Sequence, residues 1–369
     1  MPSSQTIISM TPAHVCVPLA RPLKVATFEV HAVDTCCVTL RTKEGLKGHG
    51  WCFAFGPERT RAMIAMVRDL FANLLGKDPA DAEANWEAMR KAVSFVGRDG
   101  ISALAMSALD TACWDLAAQA AGQPLWKYLG GEKREIPCYA SEGLWLNLTI
   151  DELMEEAAAL KARGFKAMKL RVGGRVDDDV ERIRAVREAI GGDVALMVDA
   201  NQAWDVETAK QACRAFEPFD LYWVEEPVDH EDIRGCAEVA KASNIPICTG
   251  ETNYNPRGMR HLLVAGAADI LMPDLERCSG VTGWRRAAAI AKEFGKPVTP
   301  HLFHEVSAHL LSAEEHGIWC ENMPWWECII EEPMEFRDGN LVLTDKPGLG
   351  LEWKEEALRE YAPPAGGSL

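Results

Sequence analysis

Short apolar runs recur through the middle of the chain, and each carries an ionisable residue at or near its end. The runs are KAMKLRV, VALMVD, LYWVEEP, PICTGE, DILMPD, PVTPH and IWCE. The ionisable residues, which follow one another at intervals of 20 to 30 positions, are Lys169, Asp199, Glu225, Glu251, Asp274, His301 and Glu321. A strand and a helix together need about this much chain, and parallel strands that are buried on both faces read as continuous apolar runs. The pattern predicts a series of β/α units.

Such a series predicts an α/β fold, specifically a (β/α) barrel of the TIM type. In this barrel the catalytic residues lie at the carboxyl ends of the strands, on one face. We therefore expect the ionisable residues of the series to meet in one ring although they are far apart in sequence. Lys169 and Arg171 are two positions apart on one predicted strand, so their side chains share a face.

The two ends of the chain have other patterns. Residues 13–56 read as short strands, with a mobile loop expected at residues 18–28, and residues 59–129 have a helical period. The sequence after residue 333 resembles a hairpin that returns to the first domain. We predict an N-terminal α+β domain (residues 1–134), a catalytic barrel (residues 135–333) and a C-terminal segment (residues 334–369).

Composition narrows the choice of partners. The chain has 369 residues, of which 48% are hydrophobic, enough for a barrel and a smaller domain. Its formal charge of −16 argues against nucleic acid or an anionic membrane surface as the main partner. The 12 cysteines include no C-x-x-C pair, which is typical of reduced thiols. We expect a cytoplasmic protein without membrane or nucleic-acid partners.

Three acids, Asp199, Glu225 and Glu251, end three consecutive predicted strands. A single acid after a strand is usually a helix cap or a solvated rim residue, but three in successive register weaken that interpretation. Converging carboxylates without a cation would repel one another and raise their pKa values, whereas Mg²⁺ would hold them together. Glu226 competes with Glu225 as a ligand, but side chains alternate along a strand, and the register favours Glu225.

Asp274 and His301 end neighbouring predicted strands. A carboxylate beside a histidine fixes its tautomer and raises its basicity, which leaves the second ring nitrogen as a general base or acid. A lone histidine more often has a structural role, so the neighbouring acid decides the interpretation. His304 and His309 do not form the H-E-x-x-H zinc pattern, because they are five positions apart.

These residues lie in longer motifs that resemble one known family. GFKAMKLRVGG, MVDANQAW, WVEEP, TGE, MPDLERCSGVTGW, HLFHEVSAHLL and WCE are together similar to the enolase superfamily, in its mandelate racemase-type subgroup (mandelate racemase/muconate lactonizing enzyme-like). The resemblance covers nearly the whole chain, and with it we expect a homo-oligomer that binds a small carboxylate substrate. It implies that the N-terminal segment and the C-terminal end form a capping domain, whose loops at about residues 21–30 and 51–56 close over the substrate.

The resemblance also implies roles for individual residues. By position, the Mg²⁺ ligands would be Asp199, Glu225 and Glu251. His301 with Asp274 would be the base on one face of the substrate, Glu321 would donate a hydrogen bond to the substrate carboxylate, and Lys169 would contact that carboxylate. Asn201 would be a polar neighbour of the site. The implied reaction removes the proton α to the carboxylate of a 2-hydroxy acid, and Mg²⁺ stabilises the resulting enediolate.

The chain departs from the family at one position. The family's Lys-x-Lys pair is Lys169-x-Arg171 here, and its second member is normally the base on the opposite face of the substrate. A guanidinium stays protonated, so Arg171 is a poor base. Racemisation needs a base on both faces, whereas dehydration needs one. We therefore favour a dehydratase of an acid sugar or related hydroxy acid. A racemase or epimerase of a mandelate-like acid is the second hypothesis, and a catalytically silent metal-binding homologue is the third.

The residues near the substrate leave its chemistry open. Apolar side chains, which would suit an aryl 2-hydroxy acid or simply pack the domain interface, are Phe53, Phe55, Trp145 and Leu302. Polar side chains, which would suit the hydroxyl groups of a sugar acid, are Lys24, His31 and His304. Trp51 is also predicted to contact the substrate because it begins the second closing loop.

Overall fold

The computed structural model of the protein describes residues 5–363. Its strands are β1 (Ile7–Lys24), β2 (Glu29–Thr42), β3 (Lys47–Ala54), β4 (Glu135–Ala140), β5 (Ala167–Arg171), β6 (Ala195–Asp199), β7 (Leu221–Glu225), β8 (Ile247–Thr249), β9 (Ile270–Leu271), β10 (Cys320–Asn322), β11 (Glu335–Arg337) and β12 (Asn340–Val342). Its α-helices are α1 (Pro57–Phe71), α2 (Ala82–Ala92), α3 (Ile101–Ala120), α4 (Leu125–Tyr128), α5 (Ile150–Ala162), α6 (Val176–Ile190), α7 (Val206–Phe216), α8 (Ile233–Ala242), α9 (Asn255–Ala265), α10 (Val281–Glu293), α11 (His304–Ser312) and α12 (Glu355–Glu360). Among residues 5–363, no helix is both long and apolar enough to cross a membrane.

The N-terminal domain is a three-stranded antiparallel sheet in the order β1-β2-β3, packed against α1 and α3. The prediction of a mobile loop at residues 18–28 is wrong for most of these residues, because β1 continues to Lys24. β1 is an edge strand, where a proline that lacks an N–H group is tolerated. Its pairing with β2 is irregular between Pro18 and Leu23. The proline therefore marks an irregularity within the strand and not its end.

The barrel is built from parallel strands, each of which pairs with the next from β4 to β9. Residues 297–301 lie between β9 and β10. Parallel bridges join Leu271 to Val298 and Asp274 to His301 on one side, and Val298 to Gly317 on the other. β10 pairs with β4 and completes the ring. The prediction of a TIM-type barrel with an α+β domain on it is confirmed.

The C-terminal segment reaches the first domain later than the sequence predicts. We expected the hairpin after residue 333 to return to that domain, but β12 pairs with β11 on one side and adds to β4 of the barrel on the other. β12 can do so because it pairs with the first residues of β4, whereas β5 and β10 pair farther along it. Contact with the first domain comes later, where Gly348 hydrogen-bonds to Gln123 and Leu125, and Tyr361 to Cys16. Residues 364–369 of this predicted segment lie outside the described residues.

The N-terminal domain, which we call the cap (residues 5–130), is joined to the barrel by a buried carboxylate. Asp110 on α3 accepts hydrogen bonds from the backbone N–H and the hydroxyl of Thr282, both at 2.8 Å. Helix α10 begins after Gly280 and has no capping side chain of its own. Asp110 therefore supplies, from the cap, the acceptor that an N-cap residue usually provides.

Replacing Asp110 by alanine should lower the free energy of unfolding by about 2 kcal/mol, because the first turn of α10 loses its cap and Thr282 loses a buried acceptor. Urea unfolding followed by circular dichroism measures this change. The control is Asp69→Ala, at an exposed aspartate of α1, which should shift the free energy by less than about 0.5 kcal/mol. Equal losses in the two variants would contradict the capping role of Asp110.

Candidate active site

The carboxyl ends of the barrel strands surround a cavity of about 230 Å³. The predicted strand-end residues in its wall are Lys169, Arg171, Asp199, Glu251, His301 and Glu321. Glu225 and Asp274 lie directly behind this wall, in contact with Lys169 and His301 respectively. On the opposite side the wall is formed by cap residues, which include Val25, Phe28, Phe53 and Phe55. The structure thus brings the whole predicted series together under the cap.

Three buried carboxylates form one cluster at this end of the barrel. Asp199 and Glu225 are the last residues of β6 and β7, which pair in register, and Glu251 lies two residues beyond β8. One oxygen atom of each carboxylate lies within 4.8 Å of the other two. Neighbouring groups hold two of the acids in place. Asn201 donates to Asp199 from its backbone N–H (2.8 Å) and from Nδ2 (3.1 Å), and Trp223 Nε1 donates to Glu225 Oε2 (2.9 Å).

One ammonium group faces this acid cluster. Lys169 Nζ lies 2.5 Å from Glu225 Oε1 and 3.5 Å from Asp199 Oδ2. Burial raises the pKa of Glu225 well above its usual value even though Lys169 lowers it, and burial raises the pKa of Glu251 to about 7. The buried oxygen Oε2 of Glu251 has no hydrogen-bond partner. The cluster therefore holds more negative charge than Lys169 can balance.

This donor set fits a Mg²⁺ ion. Mg²⁺ prefers oxygen ligands and commonly combines protein carboxylates with water and substrate oxygens. An ion bound among Asp199, Glu225 and Glu251 would supply the missing positive charge and a partner for Glu251 Oε2. The neighbouring carboxylate of Glu226 is held elsewhere, because its Oε2 accepts hydrogen bonds from Gln202 (2.7 Å) and from the Thr252 hydroxyl (3.1 Å).

His301 and Asp274 form a hydrogen-bonded pair beside the acid cluster. Nδ1 of His301 lies 2.7 Å from Asp274 Oδ2, and Asp274 Oδ1 accepts from the backbone N–H of Arg277 at 2.7 Å. Nε2 of the ring is 3.5 Å from Glu251 Oε2. Burial alone would lower the pKa of His301, but Glu251 and Asp274 raise it to about 9. A cation that neutralises Glu251 would remove the larger of these two effects and lower the pKa towards that of a general base.

Arg171 lies on β5, on the same face as Lys169. Its Nη2 donates to the hydroxyl of Ser141 (3.1 Å), and its guanidinium lies over the Trp145 ring, 4.6 Å from the centroid. Burial alone would lower the pKa of Arg171, but the nearby acids, first of all Asp199, raise it. Arg171 therefore stays charged. Its Nε forms an ion pair with Asp199 Oδ2 at 3.6 Å, although neither Nε nor Nη1, both buried, has a hydrogen-bond partner.

Glu321 lies on β10 and accepts every hydrogen bond that the structure gives it. Its donors are the Ser141 hydroxyl (2.5 Å) and the backbone N–H of Leu302 (2.7 Å), and Lys169 Nζ lies 3.0 Å from Oε1. Burial alone would raise the pKa of Glu321, but Lys169 and His301 hold it well below its usual value. In this arrangement the residue is a carboxylate, and the donor role inferred from the family would need a proton that Lys169 disfavours.

Two predicted substrate contacts lie outside the cavity wall. Lys24 is exposed, because side chains alternate along the chain and its neighbours Leu23 and Val25 take the buried positions. Trp51 is 1% exposed and packs edge-on against Trp326. The structure therefore corrects both assignments: Lys24 faces solvent, and Trp51 belongs to the packed interface between cap and barrel.

Of the other predicted substrate contacts, five line the cavity and two do not. Those that line the cavity are Asn201, Phe53, Phe55, Trp145 and Leu302. His31 is exposed, and His304 is fully buried outside the cavity wall.

Sequence reasoning misses several residues of the site. Ser141 directly follows β4, so the strand-end rule that identified its neighbours could have identified it. Gln202 and Thr252 lie within three residues of predicted ligands and line the cavity. Arg277 reaches the wall from the loop after β9 and donates to the backbone oxygen of Glu251 (3.0 Å). No spacing or periodicity in the sequence indicates that last contact.

Comparisons with known proteins agree with this geometry. Residues 7–130 match the family "Mandelate racemase / muconate lactonizing enzyme, N-terminal domain", and residues 152–357 match "Enolase C-terminal domain-like". The chain is 34% identical to L-talarate/galactarate dehydratase of Salmonella typhimurium over 93% of this chain and 88% of that protein. It also resembles the crystal structure of L-talarate dehydratase from Polaromonas in complex with Mg and L-glucarate (TM-score 0.90, 34% identity, 98% of each chain). A Bradyrhizobium enolase in complex with magnesium and mandelic acid is similar as well (TM-score 0.92, 33% identity, 99% of this chain and 100% of that one).

Glu225→Gln should weaken Mg²⁺ binding at least tenfold, because one of the three clustered carboxylates is lost. Isothermal titration calorimetry with MgCl₂ measures the affinity. The matched control is Glu226→Gln, at the adjacent glutamate whose carboxylate is held by Gln202 and Thr252, and its affinity should stay within about threefold of the unmodified protein. Equal losses in the two variants, or no binding by the unmodified protein, would contradict the assigned ligand set.

Proposed function

The chain belongs to the enolase superfamily, in the subgroup of mandelate racemase and muconate lactonizing enzyme, and on this premise we propose that it is a Mg²⁺-dependent dehydratase of an acid sugar. One observation carries the proposal. The hydrogen-bonded pair of His301 and Asp274 lies beside the cluster of three acids, 3.5 Å from Glu251, while Arg171 on β5 stays charged. The site therefore offers a strong base on one side of the substrate.

The residues divide the work as follows. The three acids would hold Mg²⁺, which would supply positive charge against the negative charge that develops on the substrate carboxylate. Lys169 lies next to this cluster and offers a second positive group to the carboxylate. His301 removes the α-proton through Nε2, because Nδ1 is held by Asp274. The protonated ring then returns that proton to the hydroxyl group on the β-carbon. The hydroxyl leaves as water, and the enol that remains rearranges to a 2-keto acid.

The related proteins and the polar groups of the cavity both support an acid sugar as the substrate. The related proteins named above include a dehydratase of talarate and galactarate. In the cavity, unpartnered buried polar atoms on Arg171, Asn201 and Glu226 would pair with hydroxyl groups of a polyhydroxy acid. An aryl acid would leave such groups unpaired, which costs about 1–3 kcal/mol for each group.

A second hypothesis is a racemase of a mandelate-like 2-hydroxy acid. It is favoured by the aromatic part of the wall, which includes Phe28, Phe53, Phe55 and Trp325, and by the likeness to the Bradyrhizobium structure with mandelic acid. This reaction needs a base on the side of β5, and Lys169 would have to serve, although its ion pairs with Glu225 and Glu321 raise its pKa.

We further propose that the protein works in the cytoplasm as a homo-oligomer. All 12 cysteines are free, and ten of them are buried, which supports a reducing compartment. Phe95 and Val96, which follow α2, are 99% and 68% exposed, and a second copy of the chain could cover them. Light scattering on the purified protein tests the assembly, and a monomer would overturn that part of the proposal.

Incubation with Mg²⁺ and a panel of mono- and diacid sugars should give a 2-keto acid from one configuration at the α-carbon, measured as its semicarbazone. His301→Asn should lower kcat by about 10³-fold, because the base is lost while the acid cluster remains. Inversion of an aryl 2-hydroxy acid without keto product would favour the racemase. Mg²⁺ binding without α-proton exchange in any acid would mean a silent homologue.

Arg171→Lys should add α-proton exchange in the opposite configuration, at least tenfold above the unmodified protein. Once a bound cation neutralises the nearby acids, a lysine beside the positive charge of Lys169 can lose its proton and act as a base, whereas a guanidinium cannot. Proton NMR in D₂O follows the exchange of each isomer. The control is Arg175→Lys, at an exposed arginine just beyond β5, which should change nothing. Exchange of both isomers by the unmodified protein would contradict the one-base account.

A further inference from the structure

The loop that carries Asp274 runs from residue 272 to residue 280, between β9 and α10, and is bound along its length by the cap. We propose that Glu276 is a positioning residue, which ties this loop to strand β3 and thereby sets the orientation of the His301–Asp274 pair. The inference rests on the proposed function, because it assigns His301 as the base. Glu276 itself lies outside the cavity wall and acts through its neighbours.

Glu276 makes a direct link between the two domains. Its side chain is buried, and Oε2 accepts a hydrogen bond from the backbone N–H of Phe53 at 3.0 Å. Phe53 belongs to β3 of the cap, lines the cavity, and packs on Phe303 and Trp326 of the barrel. Glu276 is two positions after Asp274. One hydrogen bond thus connects the cap wall of the cavity to the loop of the base.

Other cap residues hold the same loop. The hydroxyl of Ser107 on α3 donates to the backbone oxygen of Leu275 (3.3 Å), and Trp86 Nε1 on α2 donates to the backbone oxygen of Ser279 (2.9 Å). Asp110 binds Thr282 in the first turn of α10, directly after the loop. Because these contacts lie on both sides of Glu276 along the chain, the cap determines the path of the loop as well as covering the cavity.

The path of this loop matters because both carboxylate oxygens of Asp274 already accept hydrogen bonds. One of its oxygens accepts from His301 Nδ1, and the other accepts from the backbone N–H of Arg277, the residue after Glu276. A shift of the backbone at residues 276–277 therefore rotates the Asp274 carboxylate and moves the imidazole with it. A misplacement of about 1 Å can lower the rate of an enzyme reaction by about 10²-fold.

The electrostatic cost of Glu276 supports a role beyond packing. Burial raises the pKa of Glu276 well above its usual value, and the nearby Asp274 raises it further, while Arg277 offsets part of this. Burying a carboxyl group here costs free energy that a single hydrogen bond to one backbone N–H group does not explain. The hydrogen bond between Glu276 and Phe53 connects the loop of Asp274 to the cap. This link explains why a strong acceptor with a side chain long enough to reach β3 lies here.

The test compares Glu276→Ala with Glu276→Gln in the Mg²⁺-loaded protein. Alanine should lower kcat at least tenfold with KM within about threefold, because the base is displaced while the groups that bind the substrate remain. Glutamine should restore kcat to within about threefold, because its amide oxygen can still accept from Phe53. Glu87→Ala is the matched control, since it also removes a contact between cap and barrel, the ion pair with Arg286 farther along α10 (2.7 Å), and it should leave kcat unchanged.

Hydrogen exchange followed by mass spectrometry tests the same inference without a substrate. Peptides covering residues 272–279 should exchange faster in Glu276→Ala and normally in Glu276→Gln. If Glu276→Ala does not fold, Ser107→Ala removes the adjacent contact to Leu275 and should lower kcat about threefold to tenfold. Unchanged kcat and exchange in the alanine variants, or equal losses in Glu276→Ala and Glu276→Gln, would overturn the inference. Failure of the proposed function would differ, since the unmodified protein would then form no keto acid.

Discussion

Burial of three carboxylates beside too little positive charge is the constraint on which the rest of the structure depends. Asp199, Glu225 and Glu251 each offer an oxygen within 4.8 Å of the others, and two like charges about 4 Å apart repel by about 4 kcal/mol in a partly solvated site. Lys169 and Arg171 offset part of this repulsion. Burial, together with the repulsion that remains, raises the pKa values of Glu225 and Glu251, and it gives the site its affinity for a divalent cation.

The barrel and the cap have different tasks around this cluster. The barrel places the acids, the His301–Asp274 pair and the Lys169–Arg171 strand at the ends of neighbouring strands. The cap excludes water from them with aromatic side chains, and a less hydrated site strengthens every electrostatic interaction in it. Because the cap also binds the loop of Asp274, closing the cavity and orienting the base are parts of one arrangement.

The sequence predicts the parts of this arrangement that follow from the period of the barrel. Residues at the carboxyl ends of the barrel strands lie around one end of the barrel. This rule places Asp199, Glu225 and Glu251 correctly within one cluster. It cannot place residues whose positions depend on contacts between domains. The closing loop suggests that Trp51 contacts the substrate, yet Phe53, two positions later on the same face of β3, lines the cavity, and Trp51 packs against Trp326 in the interface.

Other differences have the same origin. Pro18 suggested a loop, but an edge strand tolerates proline, so β1 continues past it. The hairpin β11–β12 has the composition of any exposed hairpin, and only the first residues of β4, which β5 and β10 leave unpaired, decide where it pairs. No pattern in the sequence indicates Glu276, since its hydrogen bond is to the backbone of Phe53, more than 200 positions away.

The most direct test of the central claim is a crystal structure of the protein grown with Mg²⁺. The account predicts one ion bound by an oxygen of Asp199, of Glu225 and of Glu251 at about 2.1 Å, with octahedral geometry completed by water. Well-ordered carboxylates that bind only Lys169 and water, with no ion among them at millimolar Mg²⁺, would contradict it.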